Sequence, residues 1–200
     1  MKTLKVKLTF IESILGTCPK NAEIYREYIG GKAPDASTVE DEVATLGADA
    51  VAEKAMTVFP RNAEGRPFLY DYQIKGFFKD TCGGLRKISG KESSKIKAFK
   101  KEIDKLIFPE PREIPFENVG AIRECQRPLR ASTPQGERVS LAISEEIPSG
   151  ATVTFDIILL SDDHEKLVLE WLDYGRFSGI GQWRNSGKSR FTYELLEAKA

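Results

Sequence analysis

The sequence predicts an α+β fold built on a mostly antiparallel sheet. Two observations carry that expectation. Residues 3–11, 139–143 and 151–160 alternate or run apolar in the manner of strands with at least one buried face. Other stretches repeat apolar residues at helical spacing: Ile74, Phe77, Phe78 and Cys82 in one, Leu167, Val168, Trp171 and Leu172 in another. The predicted order is strand, helical insertion, strand, two helices, several strands, helix, strand. Strands and helices that segregate in this way indicate α+β rather than a parallel α/β sheet.

The elements follow in order. Leu4, Val6, Leu8 and Phe10 share one face of the first strand, and Lys5, Lys7 and Thr9 share the other. Gly16 and Pro19 end it. Pro19 suits a first helical turn, and Ile24, Tyr25, Tyr28 and Ile29 form a helical stripe that Gly30-Gly31 stops. Ser37 and Glu40 have capping-box spacing for a second helix over 38–57, weakened at Gly47. Residues 17–65 therefore read as a helical insertion within a single domain of residues 1–200. Asp35, Glu40, Asp41, Glu42, Asp49 and Glu53 make it acidic.

Pro67 to Tyr72 reads as extended, and Gln73 to Arg86 as a helix broken at Gly83-Gly84. Ser89 and Glu92 have capping-box spacing for the next helix, over 89–107. Its apolar side is Ile96, Phe99, Ile103 and Leu106; Lys91, Lys95, Lys97, Lys100, Lys101 and Lys105 lie opposite, in the pattern of a solvated helix face. Pro109 and Pro111 end it. Arg112 to Phe116 and Ile122 to Leu129 are strand candidates, and Pro148-Ser149-Gly150 is the turn before residues 151–160. Asp162 and Glu165 can cap a helix over 163–174, and Phe191 to Leu196 forms the last strand.

Composition narrows the function. Lys and Arg number 30, Asp and Glu 30, so the formal charge is zero, which counts against a histone-like protein that coats nucleic acid by bulk charge. Any such site needs charges segregated onto one face, and Lys and Arg do concentrate in residues 75–105 and 123–138. Cys18, Cys82 and Cys125 are far apart, with no CxxC pair and one histidine in the chain, which points to reduced thiols without structural zinc. No apolar run reaches membrane-spanning length, and Met1 to Leu4 opens a strand pattern rather than a signal peptide. The expectation is a cytoplasmic protein with no membrane partner, no cofactor and no metal.

The densest chemical signal is Gly175 to Phe191, which combines Gly175, Gly179, Gly181 and Gly187 with Arg176, Arg184, Lys188, Arg190 and Trp183. Glycines allow close backbone approach to an anion, cations bind phosphate, and an indole stacks on a base. The competing reading is a glycine-rich hairpin with solvated charges.

Several segments in this order resemble the RAMP superfamily, the ferredoxin-like (RRM-like) RNA-binding proteins of CRISPR effector complexes. The chain is most similar to the backbone subunits that polymerise along guide RNA. The first strand, Leu4 to Ile11, runs to Leu15-Gly16 as in that family. Tyr72-Gln73-Ile74-Lys75-Gly76-Phe77-Phe78 is similar to its Ser-Leu-Lys-Gly helix start, with Gln73 in the serine position. Glu145-Glu146-Ile147-Pro148-Ser149-Gly150 with Val153-Thr154-Phe155 resembles its Glu-x-x-Pro-x-Gly-x-x-Phe hairpin. The last helix, the glycine-rich loop and the final strand complete the order, although family loops carry a tighter Gly/Arg pattern.

The resemblance implies an RNA-binding subunit of an antiviral ribonucleoprotein, with guide RNA, other subunits or copies of itself as partners. It implies a basic site made of Lys75, Lys79, Arg86 and Lys87 near the first core helix. Arg123, Arg127, Arg130 and Arg138 on the strands would join it, with Arg123 and Arg127 on one face. Arg176, Gln182, Trp183, Arg184, Asn185, Lys188 and Arg190 come from the loop. Each cation also has the plain reading of a solvated charge, and Tyr70, Tyr72, Phe77 and Phe78 read as core rather than as a stacking platform.

Catalysis has little support. The lone His164 reads as a first-turn helix residue rather than a general base. No P-loop, dinucleotide fingerprint or nucleophilic triad is present. A metal-dependent ribonuclease using a loop aspartate, Asp35 or Asp49, is the enzymatic alternative. The other alternative is a phage or mobile-element structural or interaction protein, an assembly subunit or host-defence inhibitor, with the insertion as its contact surface.

Overall fold

The structure, a computed structural model, describes residues 1–20, 56–133 and 136–196, and of residues 129–141 only the backbone. It groups into two compact units: Met1–Ile14, Pro60–Ala121 and Ile147–Ala200 in the first, Leu15–Phe59 and Ile122–Glu146 in the second. The helices expected within residues 17–65, and with them Asp35 and Asp49, lie outside the described residues.

The first unit contains β1 (Lys2–Phe10), β5 (Phe68–Tyr70), α1 (Asp71–Leu85), α2 (Phe99–Leu106), β6 (Ile107–Glu110), β7 (Glu113–Glu117), β10 (Thr152–Leu159), α3 (His164–Asp173) and β11 (Phe191–Leu196). Its sheet runs β11-β1-β10-β7-β5, with β6 also paired to β10, and every pairing is antiparallel. Counted as core strands, β1, β6/β7, β10 and β11 stand in the order fourth, first, third, second, with α1 and α3 as the crossovers. That is the ferredoxin-like β-α-β-β-α-β arrangement, an α+β fold.

The alternation expected of β1 is present. Leu4, Val6, Leu8 and Phe10 are buried against the helices, while Lys5 is exposed and Lys7 and Thr9 are half-buried on the other face. Phe10, Phe116, Phe191, Phe77, Phe78 and Trp171 form one chain of ring contacts through the core, at centroid separations of 5.1–6.2 Å.

Local signals were overruled in several places. α1 passes through Gly83 and Gly84 because a buried stripe anchors it on both sides: Ile74, Phe77, Phe78, Cys82 and Leu85. Packing of such a stripe outweighs glycine's weak helix propensity. Its start is closed by the Gln73 side chain, whose Oε1 accepts the Tyr70 N–H at 2.9 Å. The single helix expected over 89–107 is a 3-10 turn, Glu92–Lys95, followed by α2. Ser89 caps nothing there. Instead the Glu170 carboxylate of α3 accepts the N–H groups of Glu92 (3.0 Å) and Ser93 (2.9 Å) and the Ser93 hydroxyl (2.6 Å). The Trp171 indole donates to the same hydroxyl at 2.9 Å.

The helix ends at Leu106, and Pro109 lies in β6 rather than terminating a helix. β6 and β7 share the edge of β10, with Pro111 between them, where a residue lacking an N–H interrupts a ladder. α3 is not capped by an acidic side chain: the carbonyls of Ser161 and Asp162 accept the N–H groups of His164 and Glu165.

The second unit is built on a hairpin. β8 (Arg123–Thr133) pairs with β9 (Gly136–Ile147) along its whole length, longer than the two strands expected there. β9 also pairs with β2 (Ile14–Leu15) and with β4 (Thr57–Val58), which in turn pairs with β3 (Cys18–Pro19). Pro19 thus lies in a strand, not at a helix start. Pro148-Ser149-Gly150 is a turn as expected, but it joins strands of different sheets: β10 pairs with β1, not with β9.

Candidate functional site

The glycine-rich loop follows α3 and returns the chain to β11. Its conformation is set from within. A Cβ on Gly175 would collide with the Phe191 ring, and one on Gly179 with the Lys188 carbonyl and Ser189. Ile180 and Ser189 are buried, and the Ser189 N–H donates to the Ser13 carbonyl at 2.8 Å. Close internal packing therefore accounts for Gly175 and Gly179, so neither is evidence for a ligand.

The loop cations are also engaged. Arg184 pairs with Asp80 of α1 at 2.8 Å, and Arg190 with Glu12 at 2.8 Å. Lys188 donates to the Ser13 hydroxyl at 2.6 Å. Arg176 is exposed and lies over the Phe177 ring at 5.2 Å. Asn185 is exposed and Gln182 half-buried. Trp183 is 40% exposed and holds a left-handed backbone, φ 55°, which is uncommon for a bulky residue and marks local strain. Surface ion pairs such as Arg184–Asp80 contribute about 0–1 kcal/mol, so an incoming phosphate can compete for the guanidinium.

A different set of glycines has no internal explanation. Gly76, Asp80 and Gly83 fall four and three residues apart and form one stripe of α1, away from its buried side, with Lys87 in the turn that follows. A Cβ on Gly76 or Gly84 would touch nothing within 4 Å, and one on Gly83 would make only an ordinary contact with Phe99. Glycine inside a helix costs roughly 0.5–1 kcal/mol relative to alanine. Three of them with no neighbour to accommodate leave a bare helix surface.

That surface floors a groove of about 1040 Å³. Its rim carries Lys79, Lys87, Lys100 and Arg184 against one carboxylate, Asp80. Tyr72, Phe77, Phe99 and Tyr174 supply aromatic surface. Lys79 pairs with Asp104, whereas Lys87 and Lys100 extend into solvent. Lys75 belongs to the same helix, and Arg86 is its C-cap residue. Lys75 lies 4.4 Å from the Phe108 ring centre and donates to the Asp104 carbonyl, and Arg86 lies 5.2 Å from the Phe99 ring centre.

Of the residues expected at the site, Lys79, Lys87 and Arg184 meet in this groove. Arg123, Arg127, Arg130 and Arg138 belong to the second unit. Arg123 is exposed, but Arg127 is only 6% exposed and points an Nη1 toward the Ser144 hydroxyl at 3.4 Å. Ser144 in turn bonds Thr57 at 2.7 Å. Burial beside these hydroxyls makes Arg127 part of that unit's packing. Arg130 and Arg138 lie opposite Val139 and Ala131 in the hairpin register.

The groove adds Lys100 and Tyr72, whose spacing in the sequence reads as a solvated charge and a core residue. The signal for Tyr72 was its place ahead of the stripe, since Gly76 lies four residues further on. His164 sits in the first turn of α3, buried, with Nε2 3.5 Å from Glu102. Among the described residues no group of His, Cys, Asp and Glu is placed to hold a metal ion, and no helix is long and apolar enough to cross a membrane.

Neither a protein-family model nor a curated protein matches the sequence. Among solved structures, the chain is similar to one in the cryo-EM structure of the Type III-B Cmr-beta bound to cognate target RNA. The two share a TM-score of 0.53 and 13% identity over 98% of this chain. This chain spans 60% of the length of that one. At that identity the likeness is one of fold.

Proposed function

We propose that the protein is a non-enzymatic RNA-binding subunit of a CRISPR-type ribonucleoprotein, with guide RNA as its ligand and other subunits or copies of itself as neighbours in the cytoplasm. The observation that carries this reading is the groove on α1. It combines bare helix backbone, a rim of Lys79, Lys87, Lys100 and Arg184, and aromatic faces. Bare backbone admits a sugar-phosphate chain at close range, cations release its counterions, and aromatic faces accept bases. The fold likeness to a chain of an RNA-bound Cmr-beta assembly supports the same reading. Of the loop residues, Arg184 lines the groove; on this reading Arg176, Gln182, Trp183, Asn185, Lys188 and Arg190 also contact the RNA.

A second reading has its own support. Net charge is zero, and the Arg184–Asp80 and Arg190–Glu12 pairs already satisfy part of the loop's charge. A chain so balanced also suits a protein-binding assembly subunit of a mobile element.

Fluorescence anisotropy with single-stranded RNA at several salt concentrations separates the two. Lys87 and Lys100 replaced by Ala should weaken binding and reduce the slope of log affinity against log salt by about one unit each. Stability should stay within about 0.5 kcal/mol, because both side chains are exposed. An unchanged slope in the double variant would remove the groove from the binding site. Absence of RNA binding by the unaltered protein would favour the protein-interaction reading.

A further inference from the structure

Aromatic rings step outward from the core toward one end of the groove. Phe68, at the start of β5, is 2% exposed. Tyr70, at the end of β5, meets Phe68 edge-on with centroids 4.9 Å apart. Tyr72, in the first turn of α1, stacks on Tyr70 with centroids 5.1 Å apart and planes at 18°. Tyr72 is 51% exposed and lines the groove.

The ladder is braced from one side. The Arg112 guanidinium stands 5.8 Å from the Tyr70 ring centre and 5.9 Å from that of Tyr72. It is held there by Asp71, whose Oδ1 lies 3.1 Å from Nη1. The backbone beneath is tied as well: the Asp71 N–H donates to the Arg112 carbonyl at 3.0 Å. A large aromatic side chain is thus half exposed beside a cationic groove, with one ring face packed on Tyr70. Ordering it in advance removes an entropy cost that a mobile side chain would meet on binding.

We propose that Tyr72 is a stacking platform for one nucleobase of a single-stranded RNA whose phosphates follow Lys87 and Lys100. The inference rests on the RNA-binding reading above and adds a position where a base, not a phosphate, is held. The rim favours RNA over a protein aromatic as the occupant, because among the described residues that line it Lys87 and Lys100 add positive charge beyond the paired Lys79 and Arg184. The stacked base continues the order Phe68, Tyr70, Tyr72 by one more ring. Tyr70 and Arg112 act as positioning residues behind it.

The test is an abasic scan with single-stranded RNA of about ten nucleotides, within the usual range of single-strand site sizes. In the unaltered protein, removing the base at one position should weaken binding about five- to a hundredfold, the range one stacked base supplies. Tyr72→Phe should preserve that penalty. Tyr72→Ala should bind the intact RNA more weakly by the same factor and show no further loss at the abasic position. Its salt slope should match that of the unaltered protein. Tyr72→Leu keeps an apolar side chain against Tyr70 without a ring, and should behave like Ala if stacking is the cause. Equal affinity of the Ala variant, or an abasic penalty that persists in it, overturns the platform while leaving RNA binding intact. Failure of the unaltered protein to bind any RNA would instead overturn the reading on which the platform rests.

Discussion

At the residue scale, glycine has two opposite meanings in this chain. Gly179 is pressed against the Lys188 carbonyl and Ser189, so a methyl group there has nowhere to go. Gly179→Ala should destabilise the fold by about 1–3 kcal/mol, the usual effect of overpacking. Gly84 faces open groove in a helical conformation, and Gly84→Ala should stabilise by about 0.5–1 kcal/mol while narrowing the groove. Urea midpoints of the two variants should therefore move in opposite directions, and a shared direction would show that one of the environments is wrong. Cys82 offers a second handle. Burial pushes its thiol above the ordinary range, and the Ser93 hydrogen bond opposes this only in part. A raised acid pKa means the folded state holds the proton more tightly. That stability is full below the unfolded thiol value, about 8.5, and fades as pH rises through the folded value. Unfolding experiments should show a larger alkaline loss for the unaltered protein than for Cys82→Ala.

At the element scale, the segment between α1 and α2 depends on a carboxylate from elsewhere. Glu170 of α3 holds Glu92 and Ser93 through three hydrogen bonds, and the Trp171 indole closes the same cluster. Hydrogen bonds to a charged group contribute about 1.5–3 kcal/mol. Glu170→Ala should lower stability by about that amount. It should also expose Lys87, Lys91, Lys95 and Lys97 to tryptic cleavage before the rest of the unit. Unaltered resistance of those sites would mean that Ile96 burial alone anchors the turn. Glu92 adds a smaller acid-sensitive contribution. The hydrogen bond from Lys95 is the main cause of its lowered pKa, so this contribution is present at neutral pH and disappears as pH falls through the depressed value.

At the scale of the whole molecule, the sheet of the first unit has one face under the helices and one face turned away from them. On the face away from the helices both lysines are matched across strands: Lys5 lies opposite Asp156 on β10, and Lys7 opposite Glu194 on β11. Directly opposed residues share a face and interact; Glu110 and Glu117 register with Asp156 and Thr152 on that same face, so it carries no excess of positive charge. The groove on α1 does carry an excess. Lys5→Ala and Lys7→Ala should therefore leave RNA affinity and its salt slope within about twofold, because neither side chain neutralises a phosphate there. A slope reduced as much as in the Lys87 and Lys100 variants would move the binding face to that side of the sheet.

The α+β class, β1, β10, α3 and β11 were legible from the sequence by itself, because their periodicity reflects burial on one side and the chain there obeys local preference. The boundaries of α1 and α2 were not, since Gly83-Gly84 and Ser89 send local signals that a distant core stripe and the Glu170 carboxylate overrule. The glycine-rich loop was legible as a loop, but its meaning was not. A glycine records only that a side chain is absent, and whether backbone, ring or open space fills the place is a matter of packing. Tertiary structure put Phe191 against Gly175 and left Gly76 and Gly84 bare. It also brought Lys87, Lys100 and Arg184 to one groove from three separate segments, a juxtaposition that no spacing along the chain encodes.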